Sequence, residues 1–306
     1  MQIGVVMDGT RMLVADRQPW IYYKDALAER GIHIGVYDAA GDAFRQRFDA
    51  MLLHIWQDWH NPRHFLAKRL LPIMERYAIY RAEYPDTVQI ILNHTDMARR
   101  PYATPYWRPG DPILYRTPAY QRSELYPFPP QSILPYEKIW GSACFVSDTP
   151  PTYKAGFIGT HSGPHGYRAR VAQETAKVGV GVCQAERPYL KDEYNRLMAA
   201  CQIIVCPRGW GEQSRRHWDA WLSGKPVLTD RDCDAVEMIP GVRLQEGVHY
   251  LVFDDPEQIP EIVAEWTRAS RRDALAHIAE NGRRAALSYD GCTRIIQFFE
   301  RNVRTT

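Results

Sequence analysis

The sequence predicts an α/β protein made of two Rossmann-like domains. Short apolar, β-branched runs alternate with helix-forming stretches in both halves, as parallel sheets covered by helices require. The 306 residues suit two domains of about 150 residues each, enough for separate hydrophobic cores. The third observation is the stretch Cys201 to Asp230, CQIIVCPRGWGEQSRRHWDAWLSGKPVLTD. It reads as a buried strand, a glycine-rich turn, a compact helix and a second buried strand.

In order along the first half, Gln2 to Met7 is a strand, with Asp8, Gly9 and Thr10 at its carboxyl end. Pro19 to Arg30 reads as a helix closed by Gly31, and Ile32 to Tyr37 as the second strand. Ala50 to Trp56 is the third. Asn61 is a suitable N-cap for a helix from Pro62 to about Glu83, and Thr87 to Asn93 is the fourth strand. Residues 101 to 136 break this rhythm, with prolines at 101, 105, 109, 112, 118, 127, 129, 130 and 135 and many tyrosines. That segment reads as an extended loop region holding one strand at Ile113 to Arg116. It either borders a binding site or wraps the sheet edge. Ile139 to Phe145 closes the first domain.

Ser147 to Thr152, SDTPPT, is the linker expected between domains 1–148 and 149–306. Tyr153 to Ile158 opens the second domain as a strand. GTHSGPHGYRAR follows it, and a helix is expected over Val171 to Lys177. The glycines, histidines and arginines of that loop, Gly159, Thr160 and Arg168 among them, form an anion cradle. The turn after Cys206 forms another, with Arg208 and Gly209, then Ser214, Arg215 and Arg216 at a helix start. In open α/β sheets ligands bind where loops leave the carboxyl ends of strands, so these two cradles point to a phosphate-bearing ligand. The plainer alternative, an ordinary βαβ unit with solvated arginines, does not explain why Ser214, Arg216, Asp219, Gly224 and Pro226 occur so close together.

Those residues, with Ala220 and Val227, resemble the S-x-R-x-x-E-A…G-x-P-V pattern of GT-B glycosyltransferases, nearest to the exostosin-like, CAP10-like and CgeB-like groups. The resemblance continues through Gly247 to Val263 and Ile278 to Phe299, and reaches the first half only as general architecture. It implies two Rossmann-like domains facing a cleft, with a nucleotide-sugar donor held by the second. By that resemblance Arg216 and the helix start hold the diphosphate. Asp219 stands where the family usually has Glu, and holds the ribose. The last helix, from about Cys292 to Val303, is expected to pack back on the first domain. The implied reaction moves a sugar from a nucleotide-sugar co-substrate to a hydroxyl acceptor: a saccharide, a small molecule or a modified DNA base. Alternatives are a DNA-base glycosyltransferase of the phage type and a non-catalytic GT-B-like binding module.

Such chemistry needs a neutralised leaving diphosphate, an oriented acceptor and, for inversion, a base. Arg215, Arg216, Arg208, Arg168 and Arg170 are the leaving-group candidates. Base candidates follow strands of the first half: His94 and Asp96 in NHTD, then Asp8, with His54, Asp58 and His60 behind them. The strings Asp230-Arg231-Asp232 and Asp232-Cys233-Asp234 are literal D-x-D triplets, but the GT-B likeness assigns them no metal. His54, His60 and His64 match no zinc spacing. No cofactor is expected.

Neither half carries a dinucleotide fingerprint, which disfavours an oxidoreductase. A net charge of +2 gives no general attraction to nucleic acid or acidic membranes. The cysteines at 144, 183, 201, 206, 233 and 292 contain no CxxC, and most sit in apolar runs. With no signal-like start and no apolar run long enough to span a bilayer, a cytoplasmic location is expected.

Overall fold

The computed structural model describes residues 1–6, 20, 23–37, 43–55, 75–93, 113–115, 150–160, 166–184, 191–208, 215–234, 238–239 and 241–303. Two compact units emerge: Met1–Tyr136 with Asp290–Thr306, and Glu137–Tyr289. Residues 147–149 of the expected linker and the expected strand at 139–145 lie outside the described residues, as does the loop region on either side of 113–115.

The first unit holds strands β1 (Gln2–Val6), β2 (His33–Tyr37), β3 (Ala50–Ile55), β4 (Val88–Asn93) and β5 (Ile113–Tyr115). All pair in parallel, in the order β2-β1-β3-β4-β5. The chain leaves β1 for β2 on one side and returns to β3 on the other, so the order reverses between β1 and β3. Helix α1 (Lys24–Glu29) joins β1 to β2, and α2 (75–83) precedes β4. Val6, Phe48, Met51, Tyr77 and Tyr80 pack into one core. Beside them Thr87 donates its hydroxyl to the Phe48 carbonyl at 2.8 Å, tying the starts of β3 and β4 together. The last helix, α9 (Gly291–Val303), belongs to this unit. It packs on α1 and sets Phe299 6.4 Å from Trp20, both fully buried.

The second unit repeats the topology with β6 (Tyr153–Thr160), β7 (Val180–Gln184), β8 (Cys201–Cys206), β9 (Val227–Asp230) and β10 (Leu251–Phe253). Its order, β10-β9-β8-β6-β7, is again all parallel, and here the reversal falls between β6 and β8. Its helices are α3 (Tyr167–Ala176), α4 (Lys191–Ala199), α5 (Arg215–Leu222), α6 (Arg231–Asp234), α7 (Ile259–Trp266) and α8 (Arg272–Ser288). Phe157, Val171, Ile203, Val205, Leu228, Phe253, Ile259, Val263 and Ile278 form the core between sheet and helices. Lys225, next to the helix-ending Gly224, donates to the carbonyls of Ala199 and Cys201 at 2.8 and 2.9 Å. It thereby satisfies carbonyls left over where α4 turns into β8.

Two local expectations change. The helix expected from Val171 starts at Tyr167, because Gly166 takes φ +70 and turns the chain directly into it. Arg168 and Arg170 are therefore first-turn helical residues rather than loop residues. Strands β7 and β10 and helices α4, α6, α7 and α8 were not anticipated as elements. Among the described residues no helix is long and apolar enough to cross a membrane.

Candidate active site

Arg168, Arg208, Arg216 and Asp230 of the second unit converge at the carboxyl ends of β6, β8 and β9, astride the reversal between β6 and β8. This is where an open α/β sheet offers a crevice for ligands. Arg216, in the first turn of α5, reaches across it. Its Nε donates to the Ile158 carbonyl at 2.9 Å, and its Cζ lies 4.6 Å from the centroid of the Phe157 ring. Its Nη1 is buried without a protein partner. Gly159 makes room for it: a Cβ there would stand 2.4 Å from Arg216 Nη2.

Arg168 and Arg208 complete the basic group. Arg168, 8% exposed, donates from Nε to the Arg208 carbonyl at 2.9 Å, linking α3 to the end of β8. The Arg208 main-chain N–H donates to Asp230 Oδ2 at 2.6 Å, its guanidinium pairs with Asp232, and its Cζ lies 5.0 Å from the Tyr167 ring centroid. Arg208 Nε and Asp230 Oδ1 are buried without protein partners.

Burial dominates the electrostatics. It pushes the Asp230 carboxyl above the usual aspartate range, while the Arg208 N–H, the Arg208 charge and hydrogen bonds from Cys233 pull it back. Burial likewise raises the Tyr167 phenol, with Asp230 adding to the shift and Arg208 opposing it. The Cys206 thiol is raised by burial too. Arg216 and Arg168 lower it and Asp219 and Asp230 raise it, so all four charged groups surround the end of β8. Below them His217, fully buried, meets the Thr229 hydroxyl at 2.9 Å, and that hydroxyl donates to the Cys206 carbonyl at 2.9 Å. The pair fastens α5 to β9 and β8. A thiol held protonated in this way is a packing group, not a nucleophile.

A cluster of one buried and two half-buried arginines at strand ends, with donors left over on Arg208 and Arg216, fits a ligand rich in oxyanions. A family profile described as glycosyl transferase-like matches residues 148–301, the part of the chain that contains this cluster. The chain belongs to the glycosyl transferase-like family. It is a glycosyltransferase, and its two Rossmann-like units are those of the GT-B fold. Among solved structures, an α-glucosyltransferase in complex with UDP and a 13-mer DNA containing an HMU base is similar at TM-score 0.64 and 10% identity, over 98% of each chain. A sucrose-phosphate synthase from Thermosynechococcus elongatus is similar at TM-score 0.55 and 10% identity, over 100% of both chains. HepE from Anabaena, in complex with UDP-glucose, is similar at TM-score 0.51 and 12% identity, covering 98% of this chain and 99% of that one. At such identities the likeness is one of fold. No curated protein matches the sequence.

Of the residues expected from the sequence of this glycosyltransferase, Gly159, Arg168, Arg208, Arg216 and Asp219 meet in one place. Thr160 ends β6 and Arg215 begins α5, on the same rim. Gly209, Ser214, Asp8, His94 and Asp96 lie outside the described residues. Arg170 is engaged elsewhere, pairing with Asp255 at 3.2 Å and Glu257 at 3.5 Å. Asp219 is only 2% exposed. Among the described residues no group of three His, Cys, Asp or Glu side chains is arranged to hold a metal ion. Sequence reasoning missed Tyr167, and it read Asp230 and Asp232 only as a D-x-D string. The signal that could have found them is their shared partner, Arg208, which lies more than twenty residues away from both acids.

Proposed function

We propose that the enzyme transfers a sugar from a uridine-diphosphate sugar to a hydroxyl acceptor without a bound metal ion. The observation that carries this reading is the Arg168, Arg208 and Arg216 cluster at the strand ends, beside the amino terminus of α5. In the reaction the bond between the sugar's anomeric carbon and the diphosphate oxygen breaks, and a bond to the acceptor oxygen forms. Charge accumulates on the departing diphosphate, where guanidinium groups fixed in advance stabilise it most. The engagement of Asp230 and Asp232 with Arg208 supports the metal-free reading, since both D-x-D carboxylates already serve an arginine. The UDP and UDP-glucose bound by the similar structures support uridine as the donor's nucleoside.

Arg216 and Arg208 hold the diphosphate in this proposal, and Gly159, Thr160, Gly209, Ser214 and Arg215 are its further donor-binding candidates. Asp219 takes the ribose from within the fold. The acceptor's proton goes to a base, for which His94, Asp96 and Asp8, each within three residues after a strand in the sequence, are the candidates. A net charge of +2 favours a saccharide or small-molecule acceptor over DNA, whose binding draws on a basic surface. A melting-curve screen against UDP, GDP, ADP, CMP and TDP and their sugars tests the reading, because a ligand bound only by the folded state raises its stability. UDP should give the largest shift. A flat response to the whole panel refutes the donor site.

A further inference from the structure

Arg208 is held at every polar point of its backbone and at its head. Its N–H goes to Asp230 Oδ2, its carbonyl receives Arg168 Nε, its guanidinium pairs with Asp232, and the guanidinium stands over the Tyr167 ring. Two of these four holds come from one short segment, the end of β9 and the start of α6. From these contacts we infer that Asp230 and Asp232 are positioning residues: they clamp Arg208, one by its main chain and one by its side chain, in the orientation that meets the donor's diphosphate.

The arrangement is hard to explain as stabilisation alone. The Arg208 and Asp232 side chains are 34% and 36% exposed, and ion pairs that wet add little to folding. Asp230 is 3% exposed and leaves one carboxylate oxygen without a partner, which opposes folding rather than favouring it. What both contacts do achieve is geometric. A guanidinium on a long side chain has many rotamers, and an acid on one side with an aromatic ring beneath leaves it few. The entropy of ordering Arg208 is thereby met before the ligand arrives. A D-x-D string that in another setting would invite a divalent ion here serves an arginine.

The inference rests on the donor reading above, and the experiment separates the two. UDP affinity by calorimetry and donor KM and kcat are measured for wild type, Arg208→Ala, Asp232→Asn, the double variant, Asp230→Ala and Asp230→Asn, each with a melting curve. Arg208→Ala should weaken UDP binding by roughly thirtyfold or more, on the scale for truncating a desolvated charge contact. Asp232→Asn should weaken it between about threefold and tenfold, should lower kcat as well as raise donor KM, and should cost nothing further once Arg208 is gone. Asp230→Asn should recover most of what Asp230→Ala loses, because the amide oxygen still accepts the Arg208 N–H. Loss in Arg208→Ala with normal or tighter binding in Asp232→Asn overturns the clamp alone. So does an Asp232→Asn penalty that persists without Arg208. Wild type that binds no nucleoside diphosphate overturns the donor reading itself.

Discussion

Gly159→Ala tests how Arg216 is held, because the change adds one methyl group and removes nothing. The new Cβ would lie 2.4 Å from Arg216 Nη2, 2.8 Å from Phe157 Cζ and 3.2 Å from Phe157 Cε2. Ordinary contact needs about 3.5 Å or more, so the guanidinium must retreat by roughly 1 Å. Its hydrogen bond to the Ile158 carbonyl is 2.9 Å long and its distance to the Phe157 ring 4.6 Å, and neither survives such a move intact. A hydrogen bond from a charged donor contributes about 1.5–3 kcal/mol net. The cation–π contact adds about 0.5–2 kcal/mol. Arg216 is partly exposed, and water recovers some of both, so the expected loss of stability is about 1–3 kcal/mol, within the range for overpacked sites. Donor binding should suffer too, by about tenfold, because Arg216 no longer meets the diphosphate in its fixed orientation. Melting curves and titration with UDP measure the two effects. The decisive control is the Arg216→Ala background, where Gly159→Ala should cost only the strain against Phe157 and nothing further in UDP affinity. Wild-type affinity in Gly159→Ala, or an equal affinity loss with and without Arg216, refutes the reasoning.

Three further outcomes are expected. Arg216→Ala should bind UDP about thirtyfold or more less tightly while still folding, whereas Asp219→Ala, at a site 2% exposed, should lose affinity and also about 1–3 kcal/mol of stability. Calorimetry beside a melting curve separates those effects. Turnover in excess EDTA should persist at a substantial fraction of normal; complete loss that added metal reverses would return Asp230, Asp232 and Asp234 to the role of ligands. Burial holds the Asp230 carboxyl above its unfolded value, so its proton favours the fold. That contribution is full below about pH 4, the unfolded value, and is lost as pH rises through the higher folded one. Asp230→Asn should therefore melt higher than wild type at pH 7, by a margin that shrinks on acidification towards pH 4; a margin that widens instead would show that the carboxylate is stabilised as a charge.

The apolar runs placed strands where they held no more than one inner glycine. β1, β3, β4, β6, β8 and β9 all lie within a residue or two of where the apolar pattern put them. β7 escaped because its run, Val178 to Cys183, is interrupted by Gly179 and Gly181, which weaken a strand signal. The structure supplies the reason for those glycines. A Cβ on Gly181 would lie 1.7 Å from the Ala172 carbonyl oxygen, so only a bare backbone lets α3 lie so close to the sheet. Arg168, Arg208 and Arg216 were legible because they follow strands β6 and β8 in the sequence, where an open α/β sheet binds ligands. The depth of Asp219 was not. His217, Trp218, Asp219, Ala220, Trp221 and Leu222 are all buried, so α5 has no dry and wet face for a 3.6-residue period to distinguish. Three residues of helical spacing placed Asp219 beside Arg216, but could not tell whether that side met solvent.

The site's arginines share a feature that bears on mechanism more than their number does. Each commits part of its guanidinium or its backbone to the protein: Arg168 to the Arg208 carbonyl, Arg216 to Ile158, and Arg208 to Asp230 and Asp232. Three aspartates, Asp219, Asp230 and Asp232, stand among them. The resting cluster is therefore close to electrically balanced, and its attraction for a diphosphate does not come from a bare excess of positive charge. It comes from N–H donors whose directions are already fixed and which need little reorganisation when charge builds on the leaving group. A cluster of free lysines would draw the nucleotide sugar as strongly at long range, but it would hold the ground state and the departing diphosphate about equally well, and uniform binding does not accelerate the chemical step. Arginines pinned by carbonyls and carboxylates can favour the later state. That difference explains why so much of the polar structure at the ends of β6, β8 and β9 is spent on holding three side chains still.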